Sequence, residues 1–282
     1  MKNIIMLPTG KEYLSYSELK TWLDCAWQHK LIHVDKIDES KETIYTVFGT
    51  ILHDALENYL RTRTMDVHAA SLNLREAWTA KNYPNADWPN FKSAVKELDY
   101  WDMSLKSILA NVPKYLEDNF PNWEFVDAEH YLFEPIEGLN VSFKGYIDGV
   151  IKYKNSKGKY VYFILDWKTT SHVGWHKEKV RDYKTHLQLM LYKHFLSKKL
   201  NLKTTDVKCG FILLKKLDVN PKNRSKIPKI GMVPVSLGPK TTEKSLKNIR
   251  MMVKNLKMNR YLKNRTNCQF CQFKETDHCR LT

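Results

Sequence analysis

The sequence predicts an α/β fold: a central mixed sheet flanked by helices, with a helical insertion and a C-terminal segment organised by cysteines. Three observations carry this expectation. Apolar residues recur at helical spacing through the front of the chain, two-residue alternation takes over near residue 129, and helix and strand patterns then alternate up to a last amphipathic helix. The composition, 43% hydrophobic and 12% aromatic with few Gly or Pro, is that of a soluble globular chain. No Gly/Ser-rich linker or internal repeat divides it. Residues 1–282 therefore read as a single domain, with 63–130 as the helical insertion and 264–282 joining Cys25 as a ligand-bearing staple. The opening MKNIIMLPTGKEY lacks the apolar run of a signal peptide, and nothing approaches the roughly 18–20 apolar residues of a membrane span, so a cytoplasmic protein is expected.

The elements follow in order. Ser15-Tyr16-Ser17-Glu18 fits a capping box, with Leu19, Trp22, Leu23 and Ala26 at helical spacing behind it, which puts Cys25 on or just after a first helix. Residues 47–62 form a second helix striped by Ile51, Leu52, Ala55, Leu56 and Tyr59; His53 and Glu57, four apart, share one face. Residues 69–120 continue helical, and their Trp and Tyr side chains are expected in the core. From Glu129 to Thr170, β-branched and aromatic residues alternate with polar ones, broken at Glu137-Gly138 and NSKGK, giving a meander of about three strands. Asp148 ends the second strand; Asp166 and Lys168 lie on the third. HLQLMLYKHFL then makes a helix on which Gln188 and Tyr192 share a face. A strand through Cys209, a basic turn at 219–229 and the strand IGMVPVSL follow. A helix near 242–263 turns Leu246, Ile249, Val253 and Leu256 inward and its lysines outward.

Chemistry concentrates in three places. Cys268 and Cys271 form a CxxC pair, with Cys279 eight positions on. Three thiols call for a fourth, and Cys25 is the natural candidate; four thiolates complete a zinc or iron–sulfur site. In a reducing compartment metal binding outranks disulfides, whereas Cys209, in an apolar strand, is a buried structural thiol. Asp166 and Lys168, at i and i+2, project from one strand face, with Trp167 on the other. Two charges inside YFILDWK need a reason. Either they form a satisfied ion pair at a strand end, or Asp148 and Asp166 hold Mg²⁺ or Mn²⁺ with the lysine beside it. Third, residues 193–266 hold 20 Lys or Arg against 3 Asp or Glu and account for the whole net charge of +15. A polyanionic partner fits this segment, since neutralising phosphates releases counterions.

In chain order these segments resemble the RecB-type branch of the PD-(D/E)xK nuclease superfamily, specifically its iron–sulfur members, the AddB nuclease domain and the CRISPR adaptation exonuclease. SYSELKTWLDCAWQHK resembles the opening Ser-x-Ser-x-Leu…Cys segment and FGTILHDALE the Gly-Thr-x-x-His helix. GYIDGV resembles the Gly-x-x-Asp motif, FILDWKTT the (Asp/Glu)-x-Lys motif, HLQLMLY the Gln-x-x-x-Tyr helix, and CxxC-x₇-C the cluster ligands. Ala26 stands where the family often has Pro, and the last cysteine spacing is slightly longer. The resemblance implies a restriction-endonuclease-like fold and metal ligands at His53, Asp148 and Asp166, with the carbonyl of Trp167 as an additional candidate. It implies Lys168 as catalytic lysine, Gln188 and Tyr192 as positioning residues, and a [4Fe–4S] cluster on Cys25, Cys268, Cys271 and Cys279. The implied activity is Mg- or Mn-dependent hydrolysis of DNA by an exonuclease acting on ends or single strands, in phage- or CRISPR-linked recombination, replication or end processing. The rival expectations are a structure-specific endonuclease with zinc at the cysteines, and a non-catalytic nucleic-acid-binding module on the same fold.

Overall fold

The computed structural model describes residues 6–37, 42–80, 97–223, 229–236 and 238–280. A short strand β1 (Tyr13–Ser15) leads directly into helix α1 (Tyr16–Asp24). Ser15 caps α1, its Oγ accepting from Glu18 N at 3.3 Å. The reciprocal half of the expected capping box is absent: Glu18 is buried, and its carboxylate meets His29 Nε2 at 3.4 Å and Lys11 Nζ at 3.7 Å. Cys25 is extended and separates α1 from a one-turn helix α2 (Ala26–His29). Helix α3 (Ile44–Thr62) starts three residues earlier than its apolar stripe suggested, because Thr43 and Thr46 form a capping box of their own. Helices α4 (Val67–Ala80) and α5 (Leu98–Asn119) follow. Of the expected helical stretch 69–120, residues 81–96 lie outside the described residues.

Strands β2 (Glu124–Pro135), β3 (Ser142–Lys154) and β4 (Tyr160–Thr170) are the predicted meander. The first of them begins inside the range read as helical insertion, since Phe125 and Asp127 already pair with Ile151 and Val150. Then come α6 (Lys177–Arg181), α7 (Tyr183–Lys199), β5 (Val207–Lys215), β6 (Ile230–Pro234) and α8 (Pro239–Lys257). The last helix stops six residues short of the expected 263. Part of the basic turn, 224–228, lies outside the described residues.

The sheet is mixed. β3 runs antiparallel to β2 and β4 and parallel to β1; β4 pairs in parallel with β5, and β5 antiparallel with β6. Along one edge of β3, β1 takes residues 142–144 and β4 takes 149–154, so the sheet forks at 145–148. One sheet face carries α3, α4 and α5 over Ile151, Phe163, Leu165, Trp167 and Ile212. The other carries α1, α7 and α8 over Phe143, Ile147, Val150, Ile164 and Phe211. Within 69–120, Trp78 and Trp101 are buried, as the core expectation for that stretch requires, and Trp123 and Trp167 beyond it are buried too.

The alternation of faces breaks at the fork. Phe143, Ile147 and Val150 all join the second core, which strict two-residue alternation forbids. On β2, Ala128 belongs to the first core and Leu132 to the second. Glu129 sits at this change with φ of 50°, a left-handed conformation that costs a non-glycine residue energy. Its neighbours pair as Ala128 with Gly149 and His130 with Ile147, which leaves Glu129 opposite Asp148. Among the described residues, no helix is long and apolar enough to cross a membrane.

Candidate metal centre and thiol pocket

Helix α3 reaches the fork because its apolar stripe packs on the sheet and because Gly149 has no side chain. A Cβ there would lie 2.6 Å from Leu60 Cδ1, so a larger residue would force that side chain to shift. His53, on the flank of that stripe, then faces Asp148, with Nδ1 3.7 Å from Oδ2. One nitrogen of His53 and one carboxylate oxygen each of Glu129 and Asp148 lie within 4.8 Å of one another. This is a hard-donor set of the kind that suits Mg²⁺ or Mn²⁺. Glu129 was not among the residues singled out in the sequence. Its strand pairing and left-handed backbone bring it in, and no motif marks it.

Asp148 Oδ2 also accepts a hydrogen bond from the Trp167 N–H at 2.8 Å, which locks the carboxylate to the start of the fork. The Trp167 indole turns into the first core, while Asp166 and Lys168 point the other way, as expected of positions i and i+2. Lys168 Nζ meets Asp166 Oδ2 at 2.5 Å. Asp166 Oδ1 accepts no hydrogen bond from the described residues although the residue is fully buried. A buried carboxylate oxygen without a donor is costly unless a cation completes it, so this donor set fits a divalent ion. The nearby set of three is His53, Glu129 and Asp148; Asp166 is engaged with the lysine.

Burial pushes Asp166 up to about 7, with Lys168 opposing and Asp148 adding to the rise. Burial likewise pushes Asp148 to about 6 against the pull of Lys168 and the Trp167 N–H. Lys168 shows the opposite balance: burial alone would lower it, but Asp166 and Asp148 hold it above its ordinary value. Burial and then Lys168 depress His53, which keeps the imidazole neutral and able to ligate. Burial and then Glu57 raise Glu129. The lysine is therefore a secured cation among acids that release their protons near neutrality.

Helix α7 is capped by Asp182, whose carboxylate accepts from Lys184 N and Thr185 N, and brings Gln188 and Tyr192 beneath β3. Gln188 Nε2 donates to Tyr192 Oη at 3.4 Å. The Tyr192 ring fills the space where Gly145 lacks a Cβ, which would otherwise stand 2.6 Å from Cε1. Both residues line an open groove of about 360 Å³ with Tyr13, Ser15, Tyr16 and Lys144, the last four residues along β3 from Asp148.

The two ends of the chain meet elsewhere. Asn264 N donates to Cys25 Sγ at 3.3 Å, and Asn264 Nδ2 and Asn267 Nδ2 donate to Asp24 O at 2.9 and 2.7 Å. Trp27 Nε1 donates to His278 O at 3.1 Å. Cys25, Cys268, Cys271 and Cys279 all line one cavity of about 20 Å³. All four are free thiols. Burial raises Cys271, and the other three sulfurs raise it further. Cys209 is apart from them, buried in β5 with Sγ 3.5 Å from Val235 O and pushed up to about 12 by burial. On α8, Ile249, Met252, Val253 and Leu256 are buried, while Lys240, Lys244, Lys247, Lys254 and Lys257 are exposed.

Residues 13–279 match the family described as the PD-(D/E)XK nuclease superfamily. Among solved structures, the chain is similar to one titled "Crystal structure of SSO0001", at 14% identity and a TM-score of 0.32, over 81% of this chain and 94% of that one. No curated protein matches the sequence.

Proposed function

The chain belongs to the PD-(D/E)XK nuclease superfamily, whose members hydrolyse phosphodiester bonds with divalent metals, and from that premise we propose that it is a Mg- or Mn-dependent DNA exonuclease of the RecB-type iron–sulfur branch. The observation that supports a working hydrolase is the convergence at one fork of Asp148, Asp166 and Lys168 with His53 and Glu129. A binding module has no need of a buried acid held against a lysine.

In this proposal a bound Mg²⁺ or Mn²⁺ supplies the Lewis acidity that polarises the phosphoryl oxygen and lowers the pKa of water. His53, Glu129 and Asp148 would hold it together with Asp166 through the oxygen that Lys168 does not engage, and the Trp167 N–H fixes the orientation of Asp148. Lys168, kept protonated by its acidic neighbours, donates a hydrogen bond to the attacking oxygen or to the charge growing on the phosphoryl group. The water oxygen gives up one proton to bulk water as it bonds to phosphorus, the bond to the departing ribose oxygen breaks, and that oxygen takes a proton back from bulk water. Gln188 and Tyr192 position the substrate strand in the groove.

We assign the four thiols lining one cavity to a structural [4Fe–4S] cluster and read residues 1–282 as one nuclease domain closed by it. The cavity lies at the junction of the chain ends, and its residues are separate from those of the fork. Incubation with end-labelled and circular single- and double-stranded DNA in Mg²⁺ or Mn²⁺ tests the activity. Progressive loss of end label with circles intact is expected. Cleavage of circles alone would make the protein an endonuclease, and no cleavage of any substrate would refute catalysis. Iron and sulfide, with no stoichiometric zinc, are expected in anaerobically purified protein.

A further inference from the structure

The fork continues outward as an aromatic pavement. Tyr146 and Lys144 follow Asp148 on β3 at two-residue steps, about 6.6 Å each. Across the strand pairs, Tyr131 lies opposite Tyr146, Phe133 opposite Lys144, and Tyr13 of β1 beside Ser142. These side chains share one sheet face, because residues directly opposite in a sheet do so and because Lys144 and Tyr146 alternate with the second-core residues Phe143 and Ile147. The rings touch one another: Tyr131 and Tyr146 at 5.2 Å between centroids, Tyr131 and Phe133 at 6.1 Å with nearly parallel planes, Tyr13 and Phe133 at 5.9 Å. Lys144 Nζ stands 4.8 Å from the Tyr13 ring and within 6.0 Å of those of Tyr131 and Tyr146.

Aromatic side chains usually go into the core, as Phe48, Tyr59, Trp78, Tyr100 and Trp101 do on α3 to α5. Tyr131 and Tyr146 remain 44% and 47% exposed, two residues along their strands from Glu129 and Asp148. An exposed ring row with a cation in its midst matches what a nucleic acid without base pairing presents, unstacked base faces joined by phosphates. A duplex hides its base faces and would meet only the charge.

We propose that Tyr131 and Tyr146, with Lys144 between them and Tyr13, form a stacking platform that seats unpaired bases of a single strand and leads the adjoining phosphate to Asp148. This rests on the nuclease reading for its purpose, but its binding step is separable from cleavage. The strand would lie along β3, its bases on the rings and its backbone along Lys144 and Lys11, with the groove of Tyr16, Gln188 and Tyr192 alongside.

The test measures binding in EDTA, so cleavage plays no part. Fluorescence anisotropy compares a labelled oligothymidylate, an oligomer of equal length made of abasic sites, and a blunt hairpin duplex. In Y131A/Y146A the affinity for oligothymidylate should fall by about tenfold or more per ring, the size that base stacking supplies. Affinity for the abasic strand and the duplex should be unchanged, and Y131F/Y146F, which keeps the π-faces, should bind like wild type. An unchanged oligothymidylate affinity would overturn the platform. So would an equal loss on the abasic strand, which would assign the effect to charge or to misfolding. If the wild type cleaves no DNA in Mg²⁺ yet shows this stacking signature, the nuclease reading fails and the platform stands.

Discussion

Replacing Asp166 by Asn should make the metal-free protein more stable while removing its activity. The carboxylate is fully buried, and burial raises its pKa from 3.8 to about 7. About three pH units at 1.36 kcal/mol each put the cost of ionising it inside the fold at about 4 kcal/mol. An acid whose pKa is raised by folding binds its proton more tightly in the native state. Stability therefore falls as pH rises from about 4 to about 7 and is flat above. Asn abolishes this slope, and the pull of Lys168 is already contained in the value of about 7. The amide N–H donors that Asn buries cost about 2 kcal/mol, which leaves a net gain of about 2 kcal/mol at pH 8. For a chain of this size that is a rise of about 4 °C in melting temperature. The assay is thermal melting of wild type and D166N in EDTA from pH 5 to pH 8, alongside cleavage in Mn²⁺. The variant should melt higher at pH 8, lose its advantage at pH 5, and cleave at least about 10³-fold more slowly. Parallel pH–stability curves for the two proteins would refute the account of Asp166 as a strained buried anion.

Three further outcomes follow from other parts of the molecule. E129Q should weaken Mn²⁺ binding by about tenfold, since a charged ligand is removed without moving the backbone; calorimetry giving wild-type affinity would remove Glu129 from the metal set. DNA affinity should fall steeply with salt, and converting Lys240, Lys244, Lys247, Lys254 and Lys257 to Gln should flatten the log–log slope by about 0.7 for each single-strand phosphate that these lysines neutralise. A slope untouched by these changes would make the exposed face of α8 a solvated surface. C25A should lose iron and melt at lower temperature, as C271A does, because metal ligation contributes to folding free energy, whereas C209A should keep its iron; wild-type iron in C25A would show that the fourth ligand lies elsewhere.

Much of this was legible in the sequence because its signals are local. Alternation in GYIDGV and FILDWKTT placed Asp148 on one strand and put Asp166 and Lys168 on one face, and the period of α7 put Gln188 beside Tyr192. Caps and ends were less legible. Glu18 looked like a box residue but is drawn into the core by His29 and Lys11, and Thr43 starts α3 upstream of the stripe. The onset of β2 was read as helical because Phe125 and Val126 show a strand only once β3 lies beside them. Glu129 was invisible for a related reason. Its place depends on antiparallel register and on a backbone inversion, both set by pairing between segments some twenty residues apart.

Helix α1 is nine residues long, a rod of about 13 Å. One end, at Ser15 and Tyr16, walls the groove, and the other, at Asp24 and Cys25, meets the thiols. The rod is bolted to α7 at both ends, through Tyr16 Oη to Lys184 O at 3.2 Å and Lys184 Nζ to Asp24 Oδ1 at 2.5 Å. A disturbance at Cys25 has little room to dissipate along so short a lever. The thiol pocket and the wall opposite Gln188 and Tyr192 therefore share one structural member, and a change in how Cys25 is held reaches the groove through it.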